Sequence, residues 1–319
     1  MRSLLILLSF AISKTYASCE CQQVNSWNDL QQIINEANAI ESVSPPIVSL
    51  CPFTVGANKN SGTIIDIQRS MHVKCHKTNP TDRCWIRVEK KTCPFDQDCG
   101  RKMVYIKSND VTIDGLKVTH ANDNIFLVEK GYSNIKLMDL EVFHTDIPGN
   151  SRGFPKAVIS VKPTASIQII GSSFAWNRAA IVENKGGDVL MYDNGIQGNY
   201  VQTPNEEAII SNKKASSKLV LTQNKFSDNK ASLGPVIASG SNSYVFDGGQ
   251  NCATNNIKDG YPYGCNGSYS FDEWTCTPFV VSEFCGNNRS IITEENSNEV
   301  NAENNTETVF TIVNSTDTE

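Results

Sequence analysis

The sequence predicts an all-β fold, a parallel β-helix solenoid, on the basis of two observations. First, a short pattern of strands and turns recurs six times between residues 103 and 256, with steps of 22 to 32 residues. Second, a repeat this short cannot bury its apolar face alone, so its copies must stack on one another. Strands that meet their equivalents one coil later form parallel sheets, at about 4.8 Å per coil.

Each copy of the repeat has a shorter apolar strand followed by a longer strand in which apolar and polar residues alternate. Alternation gives a strand one inward and one outward face. Three less regular coils are expected between residues 47 and 88, which brings the total to about nine coils. When the six copies are aligned, one inward residue from each occupies the same position. These residues are Ile113, Leu137, Ile169, Met191, Leu221 and Phe246.

Asparagines recur at turn positions of successive copies. Asn tolerates a left-handed backbone, and its amide can hydrogen-bond nearby backbone or a stacked amide. This favours structural ladders over the alternative, a polar ligand groove. The predicted ladder residues are Asn177, Asn194, Asn199, Asn224 and Asn229.

Three motifs carry a resemblance to a known family. They are Val-Thr-Ile-Asp-Gly-Leu from Val111, Asn-Gly-Ile-Gln-Gly-Asn at 194–199 and Asn-Lys-Phe-Ser-Asp-Asn at 224–229. With them, residues 46–256 resemble the right-handed parallel β-helix, or pectin lyase-like, superfamily, here as a secreted member that contains cysteines. The resemblance implies right-handed coiling, which the general rule for parallel connections also favours. These motifs specify an architecture and are nearly silent about a reaction.

The chain before the repeat divides into two predicted segments. Residues 1–17 have a basic residue, an apolar core and a small-residue cleavage site, which predicts a secretory signal and a secreted, extracellular protein. Residues 18–46 contain an amphipathic helix with Ser26 as its N-cap. An open first coil would invite aggregation, so this helix is expected to cap the solenoid at 47–256.

The chain after the repeat also divides in two. Residues 257–290 are rich in cysteine and aromatic residues and predict a C-terminal cap, with a sugar-stacking surface as the alternative. Residues 291–319 have the composition of a disordered tail. Four glycosylation sequons lie in these segments, at Asn266, Asn288, Asn304 and Asn314.

The 11 cysteines lie toward the two ends of the chain, with none between residues 100 and 251. In a secreted chain this predicts disulfides that staple the ends of the solenoid. Spacing does not fix the connectivity, although Cys51 and Cys75 are one coil apart and are expected to face each other. The candidates are Cys51, Cys75, Cys84, Cys93, Cys99, Cys252, Cys265, Cys276 and Cys285. A zinc site is a less favoured use of His72, Cys75, His76 and Cys84.

The charge balance excludes some classes of partner. The chain has a formal net charge of −6, and loss of the two basic residues of the signal makes this more negative. Such a balance argues against nucleic acid and anionic membrane surfaces as partners. No stretch after the signal has the length and hydrophobicity of a membrane span.

Catalytic members of the resembled superfamily act on acidic polysaccharides through groups on the outer surface of neighbouring coils. Lyases use acidic residues that hold calcium and a basic residue that removes a proton, whereas hydrolases use clustered aspartates. His120 and His144 each lie seven residues after the reference residue of their copy, so they are predicted neighbours. An imidazole near carboxylates suits proton transfer at neutral pH.

If the protein is an enzyme, His120 or His144 is the predicted base and Arg152 or Lys156 the charge stabiliser. The carboxylates closest to them in sequence are Asp123 and Asp146. Calcium is expected only for a lyase, and otherwise no cofactor is expected.

The sequence lacks the hydrolase motifs of the superfamily and a lyase-type set of calcium carboxylates with an arginine. This favours a non-catalytic protein that binds polysaccharide or cell-wall or extracellular matrix material along its long face. A polysaccharide lyase or glycoside hydrolase that acts on acidic polysaccharide is the alternative.

Overall fold

The computed structural model describes residues 21–57, 65–79, 81–88, 103–121, 124–145, 157–201, 208–212, 214–231, 236–239, 243–254 and 256–258. The predicted secretory signal, the four sequons and the predicted tail lie outside these residues. So does the predicted C-terminal cap, apart from its first two residues. The candidate cysteines outside the described residues are Cys93, Cys99, Cys265, Cys276 and Cys285.

The described chain is all-β with long parallel sheets and a single helix, as predicted. The first sheet contains eight parallel strands in the order β1 (Ile47–Leu50), β4 (Met71–Cys75), β7 (Val111–Asp114), β10 (Ile135–Met138), β13 (Ser166–Ile170), β16 (Asp188–Tyr192), β20 (Lys218–Thr222) and β24 (Tyr244–Asp247). The second sheet also contains eight, in the order β2 (Phe53–Ala57), β5 (Cys84–Val88), β8 (Leu116–Thr119), β11 (Glu141–Phe143), β14 (Ser173–Ala175), β17 (Gly195–Gln197), β21 (Lys225–Ser227) and β25 (Cys252–Thr254).

Two further sheets complete the described strands. The third sheet has seven strands in the order β23 (Ile237–Ser239), β19 (Ile210–Asn212), β15 (Ala180–Asn184), β12 (Ala157–Val161), β9 (Phe126–Val128), β6 (Val104–Ile106) and β3 (Ile65–Ile67). The fourth sheet is short, with the order β18 (Tyr200–Val201), β22 (Lys230–Ala231) and β26 (Ile257–Lys258). Successive strands enter the first, second and third sheets in turn, an arrangement compatible with a parallel β-helix.

The longer strand predicted for each repeat is divided in the structure into two strands, so the prediction of one continuous strand was wrong. A residue with a left-handed backbone separates the first-sheet strand from the second-sheet strand: φ is 76° at Gly115, 47° at Asp139 and 54° at Asp193. Gly, Asp and Asn adopt this conformation most readily, so they suit a sharp corner between two sheets. The alternating pattern continues across the corner, and periodicity alone therefore did not reveal it.

The inward side chains form stacked files along the core. Ile113, Leu137, Ile169, Met191 and Leu221 are consecutive partners in the first sheet, and all are buried. Phe246 does not continue this file as predicted, because it pairs with Val220 and is 59% exposed. The strand is one residue out of register with the predicted alignment: the partner of Leu221 is Asp247.

The N-terminal helix α1 spans Trp27–Ala39 and begins directly after the predicted N-cap, Ser26. Ser26 accepts a hydrogen bond from the Asp29 backbone N–H, and the Asp29 carboxylate accepts one from the Ser26 N–H, which makes a capping box. The helix buries Trp27, Leu30, Ile34 and Ala37 against the core. Within the described ranges, no helix is long and apolar enough to cross a membrane.

Two disulfides lie in the first turns of the structure, and they correct the expected facing of Cys51 and Cys75. Cys51 is bonded to Cys21, and Cys75 to Cys84. The residue beside Cys75 in the neighbouring strand is Leu50, so Cys51 lies one position beyond the predicted pairing. The Cys75–Cys84 bond also argues against zinc ligation by these thiols. Cys252 is disulfide-bonded too.

Buried asparagine side chains form hydrogen-bonded ladders at three corners. At the first, the side-chain oxygens of Asn194, Asn224 and Asn251 each accept from the preceding turn. At the second, the chain of bonds runs through Thr145, Asn177, Asn199, Asn229 and Asn256. The third, which sequence inspection missed, joins Asn184 to Asn212. These amides satisfy backbone groups that the corners remove from the sheets.

Replacing Ser26 with Ala removes one half of the capping box. We expect the free energy of unfolding to fall by about 1 kcal/mol, because the Asp29 N–H loses its acceptor at the start of α1. Urea denaturation followed by far-UV circular dichroism measures this change. Ser26→Asp keeps an acceptor and is the matched control. An equal loss in both variants would contradict the role of the cap.

Replacing Asn199 with Ala removes four hydrogen bonds from a buried ladder. The lost partners are Asn177, Phe174 and Asn229, all of which remain buried. We expect unfolding to become easier by at least about 2 kcal/mol, since unsatisfied buried polar groups are costly. The same denaturation experiment applies. Gln197→Ala, an exposed change on the same turn, should have an effect below about 0.5 kcal/mol, and similar losses in both variants would rule out the ladder as a main stabiliser.

Candidate functional site

A second set of left-handed residues marks the corner that follows the second-sheet strands from β8 to β21. Successive turns place His120 (φ 62°), His144 (φ 53°), Trp176 (φ 52°), Gly198 (φ 62°) and Asp228 (φ 56°) at this position. Non-glycine residues rarely adopt such a backbone, and a tryptophan does so least readily. The corner therefore holds large rings on the outer surface at a local conformational cost.

The rings at this corner stack along the axis of the sheets. The ring centroids of His120 and His144 are 5.9 Å apart with an interplanar angle of 32°. His144 stacks almost parallel to Trp176, at 5.5 Å and 13°. Phe143, which precedes His144, lies 6.2 Å from the Trp176 ring. We refer to His120, Phe143, His144 and Trp176 as the aromatic file.

The turn that follows Trp176 leaves space for its exposed ring. Its side chain is 54% exposed. A Cβ atom built on Gly198, one turn further along, would lie 2.8 Å from the indole Cδ1. Any residue other than glycine would therefore push the indole away. Glycine, which has no side chain, therefore stands where the indole of Trp176 needs space.

The aromatic file continues onto the outer face of the second sheet. The indole N–H of Trp85 donates to the Thr119 hydroxyl at 2.9 Å. The Lys117 ammonium lies 5.2 Å from the Trp85 ring centroid and 5.4 Å from that of Phe143. These distances permit cation–π attraction to both rings. The lysine therefore links Trp85 to the aromatic file.

A carboxylate on this part of the face, that of Glu141, is paired with cations. Glu141 forms an ion pair with Arg83 and a second with Lys117, whose Nζ lies 3.2 Å from the carboxylate. This carboxylate is therefore engaged with two cations, which makes it a poor choice as a free catalytic base. Its position favours a role in fixing Lys117 between the rings.

Of the predicted catalytic group, the two histidines lie within the described residues. His120 and His144 are neighbours, as the spacing indicated. Asp123, Asp146, Arg152 and Lys156 lie outside the described residues. Across the part of the chain that the structure describes, no group of three or more His, Cys, Asp and Glu side chains could hold a metal ion.

A second polar cluster, which sequence inspection missed, lies on the outer face of the first sheet. The His72 Nε2 atom is 4.0 Å from a carboxylate oxygen of Asp114, on the adjacent strand. Lys77, which follows β4, forms an ion pair with Asp139, which follows β10, two strands away in the same sheet. The available signal was the outward position of His72 in β4 and of Asp114 in β7, one turn later. The pair was not predicted because the outward positions of successive strands do not repeat a residue type.

Burial shifts both groups of this pair toward their neutral forms. Desolvation lowers the pKa of His72 below its ordinary value of 6.5, although attraction to Asp114 opposes this. Desolvation also raises the pKa of the Asp114 carboxyl, and the charge of Asp139 adds to the effect. A carboxyl that holds its proton more tightly beside a neutral imidazole is chemically suited to hydrogen bonding and proton exchange.

Because comparisons with known proteins give no match, a functional conclusion depends on the outer faces of the sheets. No protein-family model, no curated protein and no solved structure matches this chain. A fold by itself does not specify an activity. The aromatic file is the arrangement in which several side chains with binding character meet on one accessible surface.

The pKa of His72 can be measured from its imidazole proton signals in a pH titration by NMR. We expect a value below 6.5. Because the unfolded state then binds the proton more tightly, the stability that neutral His72 provides is present above pH 6.5 and is lost as the pH falls below it. Asp114→Asn should lower the pKa further, since an attractive charge is removed. Lys74→Gln should raise it, since a repulsive charge is removed. A higher pKa in Asp114→Asn would contradict this account.

Proposed function

We propose that this protein is a secreted, right-handed parallel β-helix of about nine coils. It is non-catalytic and binds polysaccharide or cell-wall or extracellular matrix material along its long outer face. The ligand lies along the second sheet and its corner, where the aromatic file and Trp85 provide the contact surface.

The observation that carries the proposal is the exposed Trp176 ring stacked on His144. Aromatic faces provide large apolar contact area, and an indole retains a polar N–H for hydrogen bonding. The apolar C–H faces of sugar rings suit such surfaces. Rings that recur on successive turns, at about 4.8 Å per turn, form a platform for an extended chain better than for a small compact ligand.

The polar surroundings of the rings agree with a saccharide ligand. Lys117 lies between Trp85 and Phe143, and its ammonium can bind sugar hydroxyls, while the buried Thr119 hydroxyl holds the Trp85 indole in place. Binding sites for polar ligands commonly combine aromatic walls with a few polar groups of this kind.

Secretion is part of the proposal and is supported by the cysteines. Structural disulfides such as Cys21–Cys51 and Cys75–Cys84 persist in oxidising compartments. Residues 1–17 have the composition of a secretory signal. Together they favour an extracellular protein that meets its polysaccharide outside the cell.

The second candidate function is a polysaccharide lyase or glycoside hydrolase. The observation that favours it is the proximity of the two imidazoles of His120 and His144. In such an enzyme one of them acts as the base and Arg152 or Lys156 stabilises charge, with calcium required for a lyase. The engagement of Glu141 with two cations disfavours it as an acid or base beside these imidazoles.

Replacing Trp176 with Ala should weaken binding to the recognised polysaccharide at least tenfold, or about 1.4 kcal/mol. The physical reason is the loss of the exposed stacking surface. Affinity electrophoresis in gels that contain polygalacturonate, xylan or hydroxyethyl cellulose measures the change. Trp176→Phe keeps a ring and should retain most of the binding.

A control is Tyr244→Ala, which removes a ring from the outer face of the first sheet, away from the proposed surface. Its binding should equal that of the unmodified protein. Equal retardation of Trp176→Ala and the unmodified protein would contradict the proposed surface. Release of new reducing or unsaturated ends from any of these polysaccharides, abolished in His144→Ala, would establish the enzyme instead.

A further inference from the structure

The outer face of the first sheet changes character along the axis. Over β4 and β7 it presents His72, Lys74, Thr112 and Asp114, which are all polar. Over the later strands apolar residues form a diagonal band across two files of outward residues, one from Met138 to Tyr192 and the other from Leu190 to Phe246. We define the apolar outer face by the residues of these files, Met138, Ile170, Leu190, Tyr192, Val220 and Phe246.

The exposed end of this face lies on β24, the last described strand of the first sheet. Tyr244 is 65% and Phe246 is 59% exposed. Phe246 continues the apolar surface, since it pairs with Val220 and Val220 with Leu190. Tyr244 flanks this surface beside its own partner, Lys218. Contiguous apolar surface of this kind marks a contact site for another segment or molecule.

A covalent bond connects the same turn to another part of the chain. Cys252 lies in β25, directly after β24, and is disulfide-bonded. The other described cysteines are paired with each other, as Cys21–Cys51 and Cys75–Cys84. The partner of Cys252 is therefore one of six cysteines outside the described residues, namely Cys19, Cys93, Cys99, Cys265, Cys276 and Cys285.

Distance excludes the three N-terminal cysteines as partners. Cys19 is two residues from Cys21, whose bond to Cys51 places it beside the first turn. The second sheet has seven steps from β2 to β25, or about 34 Å. Two residues and a disulfide together span at most about 14 Å.

The same argument applies to Cys93 and Cys99. Cys93 follows Val88 of β5 by five residues, which reach about 18 Å. A disulfide adds at most about 7 Å, whereas β5 lies six steps, or about 29 Å, from β25. Cys99 is four residues before Met103 and about five turns away, beyond its shorter reach. The partner of Cys252 is therefore Cys265, Cys276 or Cys285.

We propose that residues 261–284 fold back over the apolar outer face and cover Tyr244 and Phe246, held there by the disulfide of Cys252. Cys252 is the partner of the exposed residue Lys225 and so occupies an outward position of the second sheet. A bond at an outward position draws the following chain over the side of the last turn. A segment that only closed the open end would not need this anchor.

The composition of the segment fits this surface. It contains seven aromatic residues, Tyr261, Tyr263, Tyr269, Phe271, Trp274, Phe279 and Phe284. Its charged residues are Asp272, Glu273 and Glu283, with no lysine or arginine. The turn before the last presents exposed Lys218 and Lys225, which complement these acids. Apolar burial and charge therefore favour the same occupant.

Site-specific photocross-linking in the full chain tests the proposal. Phe246 is replaced with p-benzoylphenylalanine, which preserves an aromatic side chain at an exposed position. A mixture of unlabelled and ¹⁵N-labelled chains is irradiated, digested and analysed by mass spectrometry. We expect cross-links from position 246 to a peptide within residues 261–284 of the same chain, and a Cys252 disulfide to Cys265, Cys276 or Cys285.

The control places the same probe at Trp176, which is exposed on a different face and should give no cross-link to 261–284. Cross-links between labelled and unlabelled chains would show that a second copy covers the face and would overturn the proposal. The absence of cross-links to 261–284, or a Cys252 bond to any other cysteine, would also overturn it. None of these outcomes depends on polysaccharide binding, so the proposed function is tested separately.

Discussion

The structure depends on one constraint: every position of a turn lies beside its equivalent on the next turn. Parallel strand pairing imposes this at about 4.8 Å per turn, so a side chain must suit two copies of its own position. Inward positions meet it with stacked apolar residues such as Ile113 and Leu137. Corner positions meet it with amides that both donate and accept, as Asn194 and Asn224 do. The outer surface meets it with stacked rings.

Corners concentrate the consequences of this constraint. A left-handed residue turns the chain after the first-sheet strands β7 to β24 and after the second-sheet strands β8 to β21, and it removes a backbone N–H or C=O from regular pairing. The buried Asn that follows restores those bonds, which explains why the ladders run parallel to the left-handed files. On the outer side, the same geometry holds His144 and Trp176 in a near-parallel stack. One local conformation thus serves stability inside and presents the candidate site outside.

The sequence predicted what repeats and missed what does not. Inward apolar residues and corner asparagines recur at the repeat period, so the sheets, the core and the ladder residues were accessible from the pattern. The capping helix was also predicted, since Ser26 and Asp29 have a local signature. The division of each longer strand at residues such as Gly115 was missed because alternation continues through the corner. Phe246 was misaligned because an aromatic residue resembles a core residue in sequence.

The candidate site was predictable only in part, for the same physical reason. His120 and His144 share a position in two copies, so their spacing indicated a contact. Trp176 occupies that position one turn later, but it was not predicted because the residue type changes there from His to Trp. His72 and Asp114 lie diagonally on adjacent strands, which requires the register to be known. Outward residues are selected for a ligand or for solvent and need not repeat.

The outer faces of the first two sheets differ in a way that separates their roles. The second sheet carries exposed rings with polar neighbours, which suits reversible contact with a hydrated polymer. The late strands of the first sheet carry a band of apolar residues from Met138 to Phe246, which suits a permanent cover. His72 and Asp114 lie at the opposite, polar end of that first sheet. A ligand on the second sheet is therefore expected to leave this pair undisturbed.

The most direct measurement of the central claim uses the four histidines of the chain as reporters. Imidazole C–H signals are recorded by NMR with and without the polysaccharide fragment that binds, at constant pH. If the aromatic file is the ligand surface, the signals of His120 and His144 shift on binding, whereas that of His72 does not. Binding that moves His72, or that leaves both His120 and His144 unchanged, would contradict it.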